Sequence, residues 1–172
     1  MLNKNRYRAG WAIAAIIAVT LVLQSSIVFG ASQVDKILVL KSKRQLQLIK
    51  NGQVEKVYQV CLGRNPQGPK VHSGDGRTPE GTYIIDAKNA HSKYHLALHV
   101  SYPNSTDKSH SRSLGVATGG NIMIHGLPNR RGSKANSLLL RDWTAGCIAV
   151  SNYEIEEIWH IVSVGTPIEI RP

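Results

Sequence analysis

The dipeptide Asn51-Gly52 stands between two short runs, QLQLI at 45–49 and VEKVYQVCL at 54–62, and constrains the fold more than any other feature. Asn-Gly accepts the left-handed backbone that a two-residue hairpin turn demands, so the two runs are expected to pair as antiparallel strands. Further short apolar or alternating runs occur at 37–40 (ILVL), 82–86 (TYIID), 94–102 (YHLALHVSY), 121–125 (NIMIH) and 166–172 (TPIEIRP). In YHLALHVSY, Leu96, Leu98, Val100 and Tyr102 fall on one face and His95, Ala97, His99 and Ser101 on the other, the period of a half-buried strand. Polar or Gly/Pro-dense loops at 63–81, 103–112 and 127–137 separate the runs. Helical signals come late in the chain. A short turn is expected at 138–140; then Ser151 and Glu154 form a capping box ahead of Ile155, Ile158, Trp159 and Val162 at helical spacing. The expected class is mainly β with one or two helices.

The first thirty residues are of another kind. Lys4, Arg6 and Arg8 precede an uncharged run at 11–23 (WAIAAIIAVTLVL), followed by Gln24, Ser25, Ser26 and small residues at Gly30 and Ala31. A basic start, an apolar middle and a small-residue end make an export signal over residues 1–30. The apolar run is short for a span of about 20 residues, but extending it over residues 11–29 leaves a membrane anchor as the alternative. Either way the remainder, residues 36–171, is expected outside the inner membrane, in the periplasm or cell envelope. Without residues 1–30 the net charge of +10 falls to +7. That suits an anionic surface such as a wall or lipid. Nucleic acid is set aside, because the basic residues are dispersed and the compartment is wrong.

Cys147 follows Gly146 in DWTAGCIAV, a polar turn between apolar runs, where a thiol can meet a substrate. Cys61 closes the apolar run VYQVCL and reads as a core thiol, with a Cys61–Cys147 disulfide as the alternative for an exported chain. A working thiol needs a base within reach and N–H donors for a tetrahedral oxyanion. The glycine before Cys147 leaves room for such donors. His125 ends the run NIMIH and precedes Gly126, whose carbonyl can orient an imidazole.

IMIHG, followed by TAGCI and Asn152, together with GDGRTPEGTYII at 74–85 and LGVATGGNIMIHG at 114–126, resembles the L,D-transpeptidase catalytic domain family, YkuD-like. The resemblance covers residues 36–171. It implies a β-sandwich or barrel-like catalytic domain that uses no metal or cofactor. Cys147 would be the nucleophile, His125 the proton donor and acceptor, the Gly126 carbonyl its orienter, and the N–H groups around Ala145, Gly146 and Cys147 the oxyanion site. The implied substrates are peptidoglycan stem peptides, processed through a thioester, with carbapenems expected to acylate Cys147. Ala145 replaces a second histidine common in the family and Ala149 a frequent arginine, a pattern closer to the YafK-like branch. Some members of that branch release wall-linked protein, so a peptidoglycan hydrolase is the alternative, and a non-catalytic wall-binding module a lesser one.

Candidate substrate contacts are Arg77, Tyr102, Arg141, Thr144 and Asn152, with Arg130, Arg131 and Lys134 as further cations for a stem carboxylate. An ion pair with Asp75 or Glu80 explains Arg77 as well, and a turn explains Tyr102. His91, His95 and His99 recur every fourth residue, but on an alternating strand and without an acidic neighbour in sequence, so a zinc site is set aside. His72 and His110 read as surface residues. The glycine-rich loop lacks the Gly-Lys-Ser/Thr ending of a phosphate cradle and reads as a cleft wall.

Overall fold

The computed structural model describes residues 34–130 and 132–172; residues 1–33, on which the expected export signal or anchor falls, and Arg131 lie outside the described residues. Strands β1 (Lys36–Leu40), β2 (Gln45–Lys50) and β3 (Gln53–Gln59) form a meander. The β2–β3 turn is the expected hairpin: Asn51 and Gly52 have φ of 50° and 76°, a conformation that suits this residue pair. β4 (Gly81–Ser92) and β5 (His95–Val100) form a second hairpin. β6 (Met123–His125) and β7 (Ile148–Ala149) follow, and β8 (Pro167–Arg171) closes the chain.

All eight strands join one sheet in the order β3-β2-β1-β8-β4-β5-β6-β7. β8 lies parallel to β1, so the C-terminal strand is inserted beside the first. β4 belongs to both halves: its start pairs with β8, and the rest pairs with β5 through two register shifts. β4 is thus much longer than the 82–86 run expected for it.

Alternation along the strands points Ile37, Val39, Leu46, Leu48, Ile85, Leu98, Val100, Ile124, Ile168 and Ile170 into one core. Helix α2 (Asn152–Ile161) buries Ile155 and Ile158 in it, and the capping box of Ser151 and Glu154 forms as expected. The interior therefore packs as the alternation predicts, with Tyr102 in it at 3% exposed.

The stretch 103–112, expected to be a polar loop, contains helix α1 (Ser105–Ser113). Asn104 and Asp107 cap it reciprocally, and its one buried side chain is Ser111, whose hydroxyl donates to the Val71 carbonyl at 2.7 Å. A helix with no apolar stripe leaves no periodic signal. The turn expected at 138–140 is the end of a longer 3-10 helix, Gly132–Leu140. Leu127, Ala135 and Leu138 form a second small core there with Leu139 and Trp143.

Candidate active site

β6 and β7 run parallel, with Ile124 opposite Ile148 and His125 opposite Ala149. Cys147 therefore enters β7 level with Met123, two residues before His125 on the neighbouring strand. Side chains two apart share a face, so the thiol and the imidazole rise from the same side of adjacent strands. Ile124 and Ile148 point the other way, fully buried, and lock that register. Neither cysteine is in a disulfide: Cys61 is buried and donates to the Leu138 carbonyl at 3.4 Å, while Cys147 is half-buried.

Imidazole Nδ1 of His125 lies 2.7 Å from the Gly126 carbonyl. A carbonyl only accepts, so Nδ1 carries the proton and Nε2 keeps its lone pair. The ring lies 4.5 Å from the Tyr94 ring and 5.8 Å from the Trp143 indole, centroid to centroid. Those two side chains also wall a cavity of about 490 Å³ with Lys93, Pro128, Asn129, Arg130 and Leu138. Burial pushes the His125 pKa down, against the hydrogen bond to Gly126. Burial pushes the Cys147 thiol up, against a backbone hydrogen bond from Met123 and the charge of Lys70. The resting pair is thus a neutral thiol beside a neutral imidazole.

Gly126 is needed for close approach: a β-carbon there would sit 2.6 Å from Asn152 Oδ1 and 3.0 Å from Ile155. Asn152 Oδ1 instead accepts the Leu127 N–H at 2.8 Å. So Asn152, expected at the substrate, is found holding the peptide whose carbonyl anchors His125. Thr144 differs from expectation in the same way. It is 4% exposed, and its hydroxyl donates to the Cys147 carbonyl at 2.7 Å and accepts the Gly146 N–H at 3.0 Å. That occupies the Gly146 N–H, whereas the N–H groups of exposed Ala145 and of Cys147 have no hydrogen-bond partner among the described residues.

Other candidates separate spatially. Tyr102 is not a cleft wall: it packs edge-on against Tyr83 in the core and its hydroxyl donates to the Thr118 carbonyl. Arg141 lines a different cavity, with Arg44, Cys61 and Asp142. Arg77 makes neither expected ion pair, because Lys70 holds Asp75 and Lys41 holds Glu80. It lines a cavity of about 800 Å³ with Arg64, Gln67 and His72. His95 and His99 pair with Glu156 and Asp86, carboxylates brought close by folding rather than by sequence. The residues that sequence reasoning missed are Tyr94, Trp143, Lys70 and Asp75; the last two sit in the glycine-rich loop read as a cleft wall.

This fold is that of an L,D-transpeptidase-type domain: the family model described as L,D-transpeptidase catalytic domain, YkuD, matches residues 35–170, and the chain belongs to that family. Among its relatives, YafK of Escherichia coli strain K12 is 29% identical over 134 residues, 74% of this chain and 46% of that protein. The helical cell shape determining protein Pgp2 of Campylobacter jejuni is similar in structure, with a TM-score of 0.59 at 26% identity over 79% of this chain and 46% of that one. Bd1075 of Bdellovibrio bacteriovorus gives a TM-score of 0.55 at 28% identity over 78% of this chain and 46% of its own. The chain thus spans less than half the length of these relatives. LdtMt1, solved in complex with imipenem, shares the fold with a TM-score of 0.51 at 19% identity over 79% of this chain and 58% of that one.

Proposed function

We propose that this chain is an exported acyltransferase of peptidoglycan stem peptides, acting in the periplasm or cell envelope with Cys147 as nucleophile and His125 as proton carrier. The observation that carries the reading is the β6–β7 register, which sets a thiol and an imidazole on one face of adjacent strands, with Nε2 free to accept a proton. Nε2 takes the thiol proton, and the sulfur attacks the carbonyl carbon of an L,D-peptide bond. The carbonyl electron pair moves onto oxygen, where the N–H groups of Cys147 and Ala145 receive it. Collapse breaks the C–N bond, the imidazolium protonates the departing amine of the terminal D-residue, and a thioester remains. An amine of a neighbouring stem, deprotonated by the same imidazole, attacks the thioester, forms the cross-link and frees the thiol. Arg77 and Arg130, each without an ion-pair partner among the described residues, are the cations offered to stem carboxylates.

A second reading keeps the thioester and gives it to water. It is favoured by Ala145, an exposed methyl where most members of the family place a second imidazole.

The test begins with imipenem, the compound bound to LdtMt1. Intact mass spectrometry is expected to show one drug adduct on the wild type and none on Cys147→Ala. Folded wild-type protein that stays unmodified and still sediments with purified sacculi would replace the enzyme with a wall-binding module. Incubation with purified muropeptides then separates the two acceptors: cross-linked dimers mark the transferase, trimmed monomers the hydrolase.

A further inference from the structure

A half-buried thiol that shares a strand face with a neutral imidazole lacks a local source of positive charge, and the loop at 63–81 contains one. Lys70 and Asp75 form an ion pair whose side chains are 4% and 6% exposed. Nζ of Lys70 donates to Asp75 Oδ1 at 2.7 Å and to the His72 carbonyl at 3.1 Å. Asp75 also accepts the N–H groups of Val71, His72 and Arg77 at 2.8, 3.1 and 3.0 Å, so the loop is wound around one carboxylate. Such a pair costs desolvation energy that its own attraction seldom exceeds, which directs attention to what else it does.

The loop packs against the neighbours of Cys147 at two points. The Arg77 carbonyl oxygen stands 2.5 Å from where a β-carbon on Gly146 would be. At the other point Lys70 Cε and Ser73 Cα lie 3.5 and 3.1 Å from where a β-carbon on Gly119 would be. Two residues later the Asn121 carbonyl contacts the thiol of Cys147 at 3.5 Å. A second buried lysine, Lys41, holds the outer parts of the loop through the Gly68 and Thr78 carbonyls and Glu80. Burial raises the pKa of the Cys147 thiol, and the charge of Lys70 works against that rise.

We infer that Lys70, held in place by Asp75, is a positioning residue that supplies the positive field under which Cys147 ionises and the thiolate survives until it attacks. The inference rests on Cys147 being the nucleophile. The titratable and charged groups that bear on the sulfur are His125, on the same face of the adjacent strand, Lys70, whose charge opposes the effect of burial, and Asp75, which acts through its ion pair with Lys70.

The test reads the thiol itself and needs no substrate. Iodoacetamide alkylation of the full chain is followed from pH 5 to 10, with Cys147 distinguished from Cys61 by peptide mass. Lys70→Met and the neutral double variant Lys70→Met/Asp75→Asn are both expected to move the alkylation midpoint up by about one pH unit, a roughly tenfold slower reaction at pH 7. Lys70→Arg keeps the charge and is expected to stay within a few tenths of a unit of the wild type. A native-like fold in either neutral variant with an unmoved midpoint overturns the inference. So does failure of both neutral variants to fold, which would leave the pair a purely structural clamp. A wild-type thiol that is never alkylated while the protein is folded would instead sink the nucleophile reading itself.

Discussion

Replacing Gly126 by alanine adds one methyl group at the most crowded point behind the imidazole. The new β-carbon would stand 2.6 Å from Asn152 Oδ1, 3.0 Å from Ile155 Cγ2 and 3.1 Å from the Tyr94 carbonyl. Ordinary carbon–oxygen contact begins near 3.4 Å, so the helix start or the strand end must give way by more than half an ångström. Overpacking of this kind costs about 1–3 kcal/mol, or roughly 3–10 °C in melting temperature for a domain of this size. The larger effect falls on chemistry. The same peptide supplies the carbonyl 2.7 Å from His125 Nδ1, and Asn152 holds its next N–H at 2.8 Å. A displacement approaching 1 Å in a reacting group lowers rates by about a hundredfold, so acylation by imipenem is expected to slow by ten- to a hundredfold. Stopped-flow quenching with intact mass, alongside a thermal melt, measures both. Gly126→Ala/Asn152→Ala removes the tightest of the three contacts and should recover part of the stability without recovering rate, a non-additivity a double-mutant cycle exposes. Wild-type acylation in Gly126→Ala, with its melt lowered, would show that the carbonyl does not orient the base.

Thr144→Val removes both bonds inside the nucleophile turn; it should cost about 1–3 kcal/mol and lower the acylation rate more than the melt would suggest, measured on the same two assays. Asp75 resists the burial that would raise its pKa: hydrogen bonds from Lys70 and from the backbone N–H groups of Arg77, Val71 and His72 bring it down to about 2 from 3.8. A lowered carboxylate pKa gives stability that is complete above the unfolded value and lost as pH falls from there through the folded one. Urea unfolding should therefore lose about 2 kcal/mol between pH 5 and pH 2, a loss much reduced in Asp75→Asn. Arg77→Ala is expected to raise KM for stem tetrapeptides severalfold with kcat little changed, whereas Arg141→Ala, on a different cavity, should leave both untouched in steady-state assays.

What could be read in advance follows from how local each signal is. Asn51-Gly52 announced its hairpin because the turn conformation is decided by those two residues. Ser151 and Glu154 announced α2 because the box is four residues long and an apolar stripe follows. Asn104 and Asp107 make the same reciprocal cap on α1, yet the helix buries little beyond Ser111, so no periodicity supported the reading. At the site, His125 with Gly126 and Gly146 with Cys147 are neighbours in sequence and carry their chemistry visibly. Tyr94 and Trp143 reach the imidazole only because β5 pairs with β6 and the chain doubles back before β7. For Arg77 an ion pair stands as the alternative to a substrate contact because Asp75 and Glu80 are close in sequence. Folding instead turns those carboxylates to Lys70 and Lys41, a competition that spacing alone does not settle. The strand end points Tyr102 to the cleft, but the alternation of YHLALHVSY assigns it to the interior, where it is buried.

The strands that bear His125 and Cys147 run in the same direction, and parallel neighbours cannot be joined by a tight turn. The chain must travel out and back between them, and this excursion holds the 3-10 helix and brings Trp143 to 5.8 Å from the imidazole, centroid to centroid. Spacing of the two reactive groups is thus written in a few rungs of backbone ladder, while the wall beside them is written in a separate stretch of chain. Lengthening or rewriting that stretch can change what the cleft admits without altering how sulfur and nitrogen face each other, so substrate choice in such a domain can drift while its chemistry stays put.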